Sequence, residues 1–314
     1  SQTANVEFSL YYISCPVPSN LNNTAVSSTT ADFSWDPVGN ASNGYEYLVM
    51  PSGDAPDTLN NADTGTVASG TAVQATGLSA DTDYEVYVRS DCGGGDVSDW
   101  SSAVSFTTNC AAINMFPSVT DMTNNLPTAC WDEAGDGEIA DGPSGLGTSD
   151  WRDNRQYQNM SGSNVNSNVM NLYQGNTDRE WLLSPSYDLS VAGPYQLKVE
   201  VAVTNYSFSG LTTASDTMGS DDEVQLLMST DGGASWSSLT TWDVSNQPSV
   251  NGTEYIEDLT AQTGTVQFAI WASDGTIDDT EDYDFHVGVF TVEEIPSCIT
   301  PTGLSASNVT ATTA

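Results

Sequence analysis

The sequence predicts an all-β protein made of tandem β-sandwiches, and three observations lead to this fold class. Ser, Thr, Asn, Asp and Gly dominate the composition while Lys, Glu, Ala and Leu are modest, a balance that favours strands and turns. Short runs with apolar residues at every second position recur, bounded by Gly, Pro, Asn or Asp. At 314 residues the chain is too long for one ordinary sandwich, so two domains are expected.

The first domain is predicted from four alternating runs near the start. They are TADFSWDP (30–37), YEYLVM (45–50), TAVQATGL (71–78) and DYEVYVRS (83–90). Short strands spaced by turns indicate a sandwich. Residues 14–109 resemble a fibronectin type III domain, because Trp35 stands where that family has its core Trp, Tyr84 matches its corner tyrosine, and SDWSSAVSFTT (98–108) matches its last strand. The resemblance implies a spacer or binding module.

A longer domain is predicted at 110–297. Strand-like alternation recurs in YQLKVEVAV, EVQLLMS, TVQFAIWAS and DFHVGVFTV, at a length suited to a jelly-roll sandwich. The unit resembles the MAM-like jelly-roll domain called choice-of-anchor J, or cleaved adhesin, through LPTACW, EWLLSPSYDLS, a strand ending in STDGG and the closing DFHVGVFTV. That family commonly carries Asp where Gly288 stands here, so a ligand or hydrogen bond from that Asp is not carried over.

The two ends of the chain indicate a tandem repeat. SCPVPSNLNNTAVSSTTA (14–31) and SCITPTGLSASNVTATTA (297–314) agree without a gap at Ser, Cys, Pro, Leu, Val, Thr, Thr and Ala. Residues 1–13 resemble the segment DFHVGVFTVEEI that precedes Cys298. We therefore expect 1–13 to be the closing strand of a preceding jelly roll and 298–314 the first strand of a following fibronectin-like domain, with neighbouring copies as partners.

The charge balance excludes some classes of partner. Five Lys and Arg against 42 Asp and Glu give a formal charge of −37, which repels a nucleic-acid backbone. No run of about 18 apolar residues predicts membrane insertion, and residues 1–13 lack the pattern of a signal peptide. The same acidity supplies many oxygen ligands for a hard cation such as calcium, although a solvating acidic surface is the plainer interpretation.

Five cysteines form an odd set, which needs an explanation in a secreted protein. In a fibronectin-type sandwich the start of the first strand lies at the same pole as the loop after the sixth, so the resemblance implies a Cys15–Cys92 disulfide. Cys110 and Cys130 bracket the first jelly-roll strand and form the second predicted pair, and Cys298 pairs with a following repeat. The alternative is unpaired buried thiols in a reducing compartment.

Two acidic stretches predict structural calcium. DEAGDGE (132–138) alternates carboxylates with Gly, and DGTIDDTEDYD (274–284) places six acids in eleven residues. SDDEV (220–224) is a further candidate. Related jelly-roll domains bind calcium near the first strand and closing loops, which the resemblance implies here. The predicted ligands are Asp132, Asp136, Glu138, Asp222, Asp274, Asp278, Asp279 and Asp282; the alternative is a solvated acidic loop.

No pattern predicts catalysis. His286 is the only histidine, and no GxSxG, GxGxxG or GxxxxGK sequence occurs. STDGGASW (229–236) matches the Asp box of sialidases, in which Asp231, Gly233 and Trp236 would be structural turn residues. Forty-two carboxylates do not exclude glycosidase chemistry, but their abundance makes them no signal for it, and neither resembled family is catalytic. We therefore predict that the chain is not an enzyme.

Two kinds of carbohydrate contact are predicted. Trp151 and Trp271, with Tyr157 and Trp242, offer rings on which a sugar would stack, although aromatic residues on strands are more often core. Thr58 in DTL and Thr217 in DTM match the Asp-Thr-hydrophobic O-glycan pattern of secreted Bacteroidetes-type proteins.

Together these features predict a non-catalytic structural and adhesive segment of a long secreted cell-surface or fibre protein. Its domain arrangement resembles that of bacterial substrates of the type IX secretion pathway. The alternative is a carbohydrate-binding jelly-roll module with a spacer, attached to a secreted enzyme.

Overall fold

The computed structural model describes residues 15–124, 126, 128, 130–173 (without the side chain of residue 154), 178–190, 193–208, 210–277 and 280–296. All regular elements in these residues are β-strands, which confirms the predicted fold class. None of the described segments forms a helix that would cross a membrane. The chain divides into two compact units between Ala111 and Ala112. The strands predicted at 1–13 and 298–314 lie outside the described residues.

Seven strands build the first unit, and they occupy the alternating runs that the sequence shows. The strands are β1 (Asn22–Val26), β2 (Thr30–Ser34), β3 (Gly44–Pro51), β4 (Asp63–Val67), β5 (Ala72–Thr76), β6 (Asp83–Asp91) and β7 (Val104–Thr107). They form two antiparallel sheets, in the orders β1-β2-β5 and β4-β3-β6-β7. Strand β7 is shorter than the segment 98–108 that the resemblance indicated, because the residues before Val104 follow an irregular path.

The core of the first unit lies between these sheets. Phe33 of β2 meets Phe106 of β7 edge to face, with the ring centroids 5.1 Å apart. Trp35 packs against Tyr45 in the same way, at 5.3 Å. The Tyr84 hydroxyl accepts a hydrogen bond of 3.0 Å from the Ser79 N–H and so ties the preceding turn to β6, the corner role that the resemblance implied.

Thirteen strands build the described part of the second unit. They are β8 (Ser118–Asp121), β9 (Asp132–Asp136), β10 (Ser144–Leu146), β11 (Arg152–Gln158), β12 (Asn164–Tyr173), β13 (Arg179–Asp188), β14 (Tyr195–Asn205), β15 (Gly210–Thr212), β16 (Glu223–Ser229), β17 (Ser237–Trp242), β18 (Thr253–Asp258), β19 (Thr265–Ser273) and β20 (Asp282–Glu294).

These strands pair into two sheets of six and seven strands. The first has the order β10-β9-β13-β19-β16-β17, and the second has the order β15-β11-β12-β20-β14-β18, with β8 also paired to β20. All pairs are antiparallel except β11 with β15. Leu182, Leu226, Phe268 and Phe285 belong to the large apolar cluster between the sheets. Because side chains alternate across a strand, Trp181 and Leu183 of β13, on either side of Leu182, point away from this core.

The outward face of the six-stranded sheet is also covered. Trp181 of β13 and Trp271 of β19 belong to a separate apolar cluster, against which Trp236 packs. The carbonyl oxygen of Gly137 accepts hydrogen bonds from both indole N–H groups, at 2.9 Å from Trp181 and 3.1 Å from Trp271. The segment after β9 therefore closes over these two rings.

Candidate metal centre

The carboxylates predicted as calcium ligands are dispersed over the second unit. Asp132 and Asp136 occupy the two ends of β9 and are exposed. Asp222 is buried and accepts a hydrogen bond of 2.9 Å from the Tyr283 hydroxyl. Asp282 is exposed and accepts a hydrogen bond of 2.9 Å from the Asn171 side chain. Asp278 and Asp279 lie outside the described residues.

A different set of carboxylates is brought together by the fold. Asp150, Asp178 and Glu180 each place an oxygen within 4.8 Å of the other two. Glu180 lies on β13, Asp178 directly precedes that strand, and Asp150 lies two residues before β11. The three residues therefore link two segments that are distant in the sequence.

Asp274, one of the predicted ligands, adjoins this group. Its Oδ1 accepts a hydrogen bond of 2.8 Å from the backbone N–H of Asp178. The residue is 5% exposed, and its Oδ2 is buried without a hydrogen-bond partner among the described residues. A buried carboxylate oxygen without a donor is costly, so the Oδ2 atom of Asp274, unlike its Oδ1, is buried without compensation from the described residues.

The cluster perturbs the acidity of its members. Burial, together with the charges of Asp150, Asp178 and Glu133, raises the pKa of Glu180 to about 7, although the Asp150 N–H donates to Glu180. Burial and the charge of Asp178 raise the pKa of Asp274 to about 6. The pKa of Asp178 is raised by burial and by the charge of Asp150. In all three residues burial is the main cause of the raised pKa, and repulsion from neighbouring carboxylates adds to it.

Arg179 is the cation closest in sequence to the cluster. Its Nε lies 2.9 Å from Oε1 of Glu138, and its Nη1 donates to the Ser273 hydroxyl at 2.6 Å and to the Asp178 carbonyl at 2.7 Å. The same nitrogen is 4.0 Å from Oδ1 of Asp274, at the limit of an ion pair. The predicted ligand Glu138 is thus engaged by an arginine.

The residues that sequence reasoning missed carry only a faint signal. In DREW (178–181) two acids stand two positions apart, so a strand would place them on one face. No sequence pattern indicates that Asp150 lies near Asp178 and Glu180. Its approach to β13 depends on how β11 and β13 are placed in the two sheets, which local spacing does not show.

His286 is sealed inside the second unit. Its Nδ1 lies 2.7 Å from the Ser167 hydroxyl and its Nε2 lies 2.8 Å from the Thr204 hydroxyl, and the residue has 0% exposure. Burial, and secondarily the charge of Arg155, lowers its pKa to about 3. The imidazole is therefore neutral near pH 7, with both nitrogens occupied by hydroxyl groups.

Trp151 and Trp271 do not form the exposed sugar-stacking surface that the sequence predicted, so this prediction is wrong. Each residue is only 3% exposed, Trp151 in the core between the sheets and Trp271 in the cluster beside Trp181. Both rings fill interior volume, and neither offers a free face to a ligand.

The Asp-box residues form a hairpin turn between β16 and β17. Oδ1 of Asp231 accepts hydrogen bonds from the Ser229 hydroxyl at 2.7 Å and from the Ser235 N–H at 2.9 Å. The hydrogen bond from the Ser235 hydroxyl, and after it those from the Ser229 hydroxyl and the Ser235 N–H, lower the pKa of Asp231 to about 2. Gly233 has a φ of 88°, which favours glycine. The box organises a turn, as expected for a structural motif.

The cysteines support an oxidised protein. Cys15 and Cys92 form a disulfide across 77 residues, with their Cα atoms 5.7 Å apart. Cys110 and Cys130 are disulfide-bonded as well. Cys298 lies outside the described residues. Disulfides and a fibronectin-type sandwich together indicate an extracellular protein.

The two predicted O-glycan positions, Thr58 and Thr217, are both exposed and lie outside the strands. The Asp before each threonine bonds to the local backbone: Asp57 accepts from the Leu59 N–H, and Asp216 accepts from the Thr217 N–H, both at 2.8 Å. Neither threonine is needed for the core.

Comparisons with known proteins identify the first unit. The model of the fibronectin type III domain family matches residues 16–107. Similar solved structures include the fn3 domain of human collagen alpha-1(XX) chain, with 24% identity, TM-score 0.26 and coverage of 31% of this chain and 88% of that one. The fn3 domain of human contactin 1 has 19% identity and TM-score 0.28, covering 36% and 92%.

A structure of carbohydrate-binding modules from the β-sandwich superfamily covers 89% of this chain and 99% of its own, at 13% identity and TM-score 0.34. A comparison with curated proteins gives no match. The match to the family model therefore assigns residues 16–107 to the fibronectin type III domain family. That assignment does not extend to the second unit, which is defined by its two sheets.

Proposed function

Because residues 16–107 form a fibronectin type III domain, we propose that this chain is a non-catalytic structural and adhesive segment of a secreted protein, displayed on a cell surface or in an extracellular fibre. The observation that carries the proposal is the disulfide between Cys15 and Cys92. Disulfides persist in oxidising environments and are rare in the cytosol. The bond spans nearly the whole first unit, which suits a module that resists extension.

Localisation tests the proposal directly. On intact cells of the source organism, antibodies against the second unit should label the surface, and added protease should remove the label. A protein retained inside the cells with reduced cysteines would overturn the proposal.

The mechanical role has its own test. When the chain is pulled from its ends, the oxidised first unit should withhold the segment that joins the disulfide-linked cysteines, whose sequence separation of 77 corresponds to roughly 260 Å of extended chain. Reducing agent should release that length in single-molecule force extension. Equal extension with and without reductant would contradict a disulfide that resists extension of the first unit.

Neighbouring copies of the same repeat are the proposed partners. The likeness of residues 14–31 to 297–314 supports this, and it predicts that Cys298 pairs outside the chain. Peptide mapping of the secreted protein without reduction should find Cys298 joined to a cysteine other than the four paired here. Attachment of glycans at Thr58 and Thr217 is part of the same proposal and would appear as mass increments on their peptides.

The alternative function, a carbohydrate-binding module, has weaker support, because the two rings chosen for stacking are buried. A glycan array with the full chain separates the two functions. A reproducible hit that disappears when the exposed ring of Tyr173 is removed would favour the binding module.

A further inference from the structure

We propose that Asp136 is a site of spontaneous backbone isomerisation, at which the peptide bond to Gly137 is converted through a succinimide into an isoaspartyl linkage. The chain contains six places where Asp or Asn directly precedes Gly. These sequences favour the reaction because Gly has no side chain to obstruct ring closure. The fold leaves one of the six in a reactive arrangement, and this inference does not depend on the adhesive role proposed above.

The reaction joins the backbone nitrogen of Gly137 to the carboxyl carbon of Asp136. In the structure this N–H lies 2.7 Å from Oδ1 of Asp136, so the nitrogen is already beside the carboxyl group that it attacks. The N–Cγ bond forms, the amide proton and the carboxyl OH leave as water, and a five-membered ring results. A second water opens the ring at the backbone carbonyl of Asp136, so that the main chain then runs through the side-chain carbon. Water is the only other reactant.

The surroundings of Asp136 suit both steps. Asp136 is exposed at the end of β9, so water reaches the ring. Gly137 has a φ of 117°, and a Cβ atom there would lie 2.1 Å from the Gly142 carbonyl oxygen, so the turn itself requires Gly. Asp132 in the same strand provides an internal control. Its Oδ1 accepts a hydrogen bond of 2.8 Å from the Glu133 N–H, but the Glu133 side chain obstructs ring closure.

The other three Asp-Gly sequences are held away from this arrangement. After Asp141, the glycine N–H donates to the Glu138 carbonyl at 2.9 Å. After Asp274, which is buried, the glycine N–H donates to the Ser273 hydroxyl at 3.0 Å. The carboxylate of Asp231 accepts hydrogen bonds from two serine hydroxyls, at 2.7 Å and 2.6 Å. In each case the nitrogen or the carboxylate is engaged by another group.

The two Asn-Gly sequences would close the same ring with loss of ammonia, and the fold restrains them too. After Asn43 the glycine N–H donates to the Ala41 carbonyl at 3.1 Å, and after Asn251 it donates to the Ser249 carbonyl at 3.0 Å. The Asn251 side chain also donates to the Gln158 carbonyl at 2.8 Å. The attacking nitrogen of both sequences is therefore directed to a different acceptor.

Isomerisation of Asp136 would alter the cover of the outer tryptophan cluster. The Gly137 carbonyl accepts the indole N–H groups of Trp181 at 2.9 Å and of Trp271 at 3.1 Å. Isoaspartate adds one carbon atom to the main chain directly before Gly137, which lengthens it there by about 1.5 Å. This displacement should separate the carbonyl from the two indoles and loosen the segment after β9. The modification would thus expose rings that are buried in the newly made protein.

The experiment incubates the full chain for weeks in neutral buffer. Electron-transfer fragmentation of its peptides distinguishes isoaspartate from aspartate, although the two have equal mass. Isoaspartate should accumulate at Asp136 at least about tenfold faster than at Asp141 or Asp132. In concentrated urea Asp136 and Asp141 should react at similar rates, because no fold then separates them. Equal rates at these two residues in the folded chain would overturn the proposal.

A matched pair of variants tests the consequence for the tryptophans. Asp136→Glu keeps the charge but would have to close a six-membered ring, so it should not isomerise. Asp141→Glu makes the same change at an exposed Asp-Gly sequence and should leave the rate at Asp136 unaltered. Circular dichroism checks that both variants fold.

Hydroxyl-radical footprinting of the same samples reads the exposure of the indoles. Oxidation of Trp181 and Trp271 should rise together with isoaspartate in the unaltered chain and in Asp141→Glu, and should stay constant in Asp136→Glu. An equal rise in Asp136→Glu would contradict the link between the modification and the cover of the cluster.

Discussion

The ring of Tyr157 occupies the space that a side chain at Gly288 would need. A Cβ atom built on Gly288 would lie 2.5 Å from the Tyr157 hydroxyl oxygen, and one on Gly252 would lie 2.8 Å from Cε2 of the same ring. Tyr157 is completely buried and comes from β11, whereas Gly288 lies in β20. Gly288, at a position where the resembled family commonly has Asp, thus leaves room for the ring of Tyr157.

Gly288→Ala should destabilise the second unit by about 1–3 kcal/mol, because the added methyl group meets a ring that has no free space to move into. Gly288→Asp should cost more, since it also buries a charge. Urea unfolding measures both effects.

The matched control is Gly39→Ala, because nothing lies within 4 Å of a Cβ there. It should change stability by less than about 0.5 kcal/mol. In a Tyr157→Phe background, which lacks the hydroxyl, Gly288→Ala should cost less than it does alone. Additive effects of the two changes would contradict the contact.

Removing the first disulfide with the double change Cys15→Ser and Cys92→Ser should lower the stability of the first unit by about 2–4 kcal/mol, since the unfolded chain regains freedom. Hydrogen exchange resolved by unit measures this loss while the cysteines of the other pair stay intact. Faster exchange in the second unit, with the first unchanged, would show that the bond has no stabilising role in its own domain.

Acidification should destabilise the second unit through His286. Its pKa is lowered to about 3 in the fold, whereas an unfolded histidine titrates near 6.5, so the unfolded state binds the proton first. The contribution of the neutral imidazole to the free energy of unfolding is complete above pH 6.5 and falls as the pH drops towards 3. Between pH 6.5 and 5 this free energy of unfolding decreases by about 2 kcal/mol.

The comparison with His286→Gln isolates this effect, because nearby carboxylates act in the opposite direction. Burial raises the pKa of Asp284 to about 6, so its protonation favours the fold as the pH falls below 6. Urea unfolding at pH 7.5, 6 and 5 should show a steeper acid loss in the unaltered chain than in the variant. Equal pH dependence would contradict a buried neutral imidazole.

Trp271→Ala should cost about 3–5 kcal/mol in stability, because it empties a buried site beside Trp181. Tyr173→Ala, at a ring that is 45% exposed, should stay within about 0.5 kcal/mol of the unaltered chain. Thermal and urea unfolding measure both variants. If Trp271→Ala left stability unchanged but abolished binding to a sugar, the ring would be a ligand platform after all.

Much of the fold was accessible from local patterns. The runs around Phe33, Tyr47 and Val86 alternate with a period of two, and the structure makes each of them a strand with those residues inside. The Asp-box turn at Asp231 was also readable, because its bonds lie within a few residues. The burial of Trp151 and Trp271 could not be predicted in the same way. Alternation assigns a residue to one face of a sheet, but it does not show whether another segment covers that face.

By itself the sequence determined the fold class, the fibronectin-type unit, the pairing of Cys15 with Cys92 and the acidity that demands counter-ions. The fold class and the acidity follow from composition and from alternation with a period of two, whereas the fibronectin-type unit and the pairing of Cys15 with Cys92 follow from the resemblance to a known family. The tertiary structure alone decided which carboxylates meet. Asp178 and Asp274 meet because antiparallel pairing carries β13 alongside β19, and Asp150 reaches Asp178 and Glu180 from the segment before β11, a strand of the other sheet. Local spacing contains no information about that convergence, and so the acidic runs did not indicate that Asp150, Asp178 and Glu180 lie together.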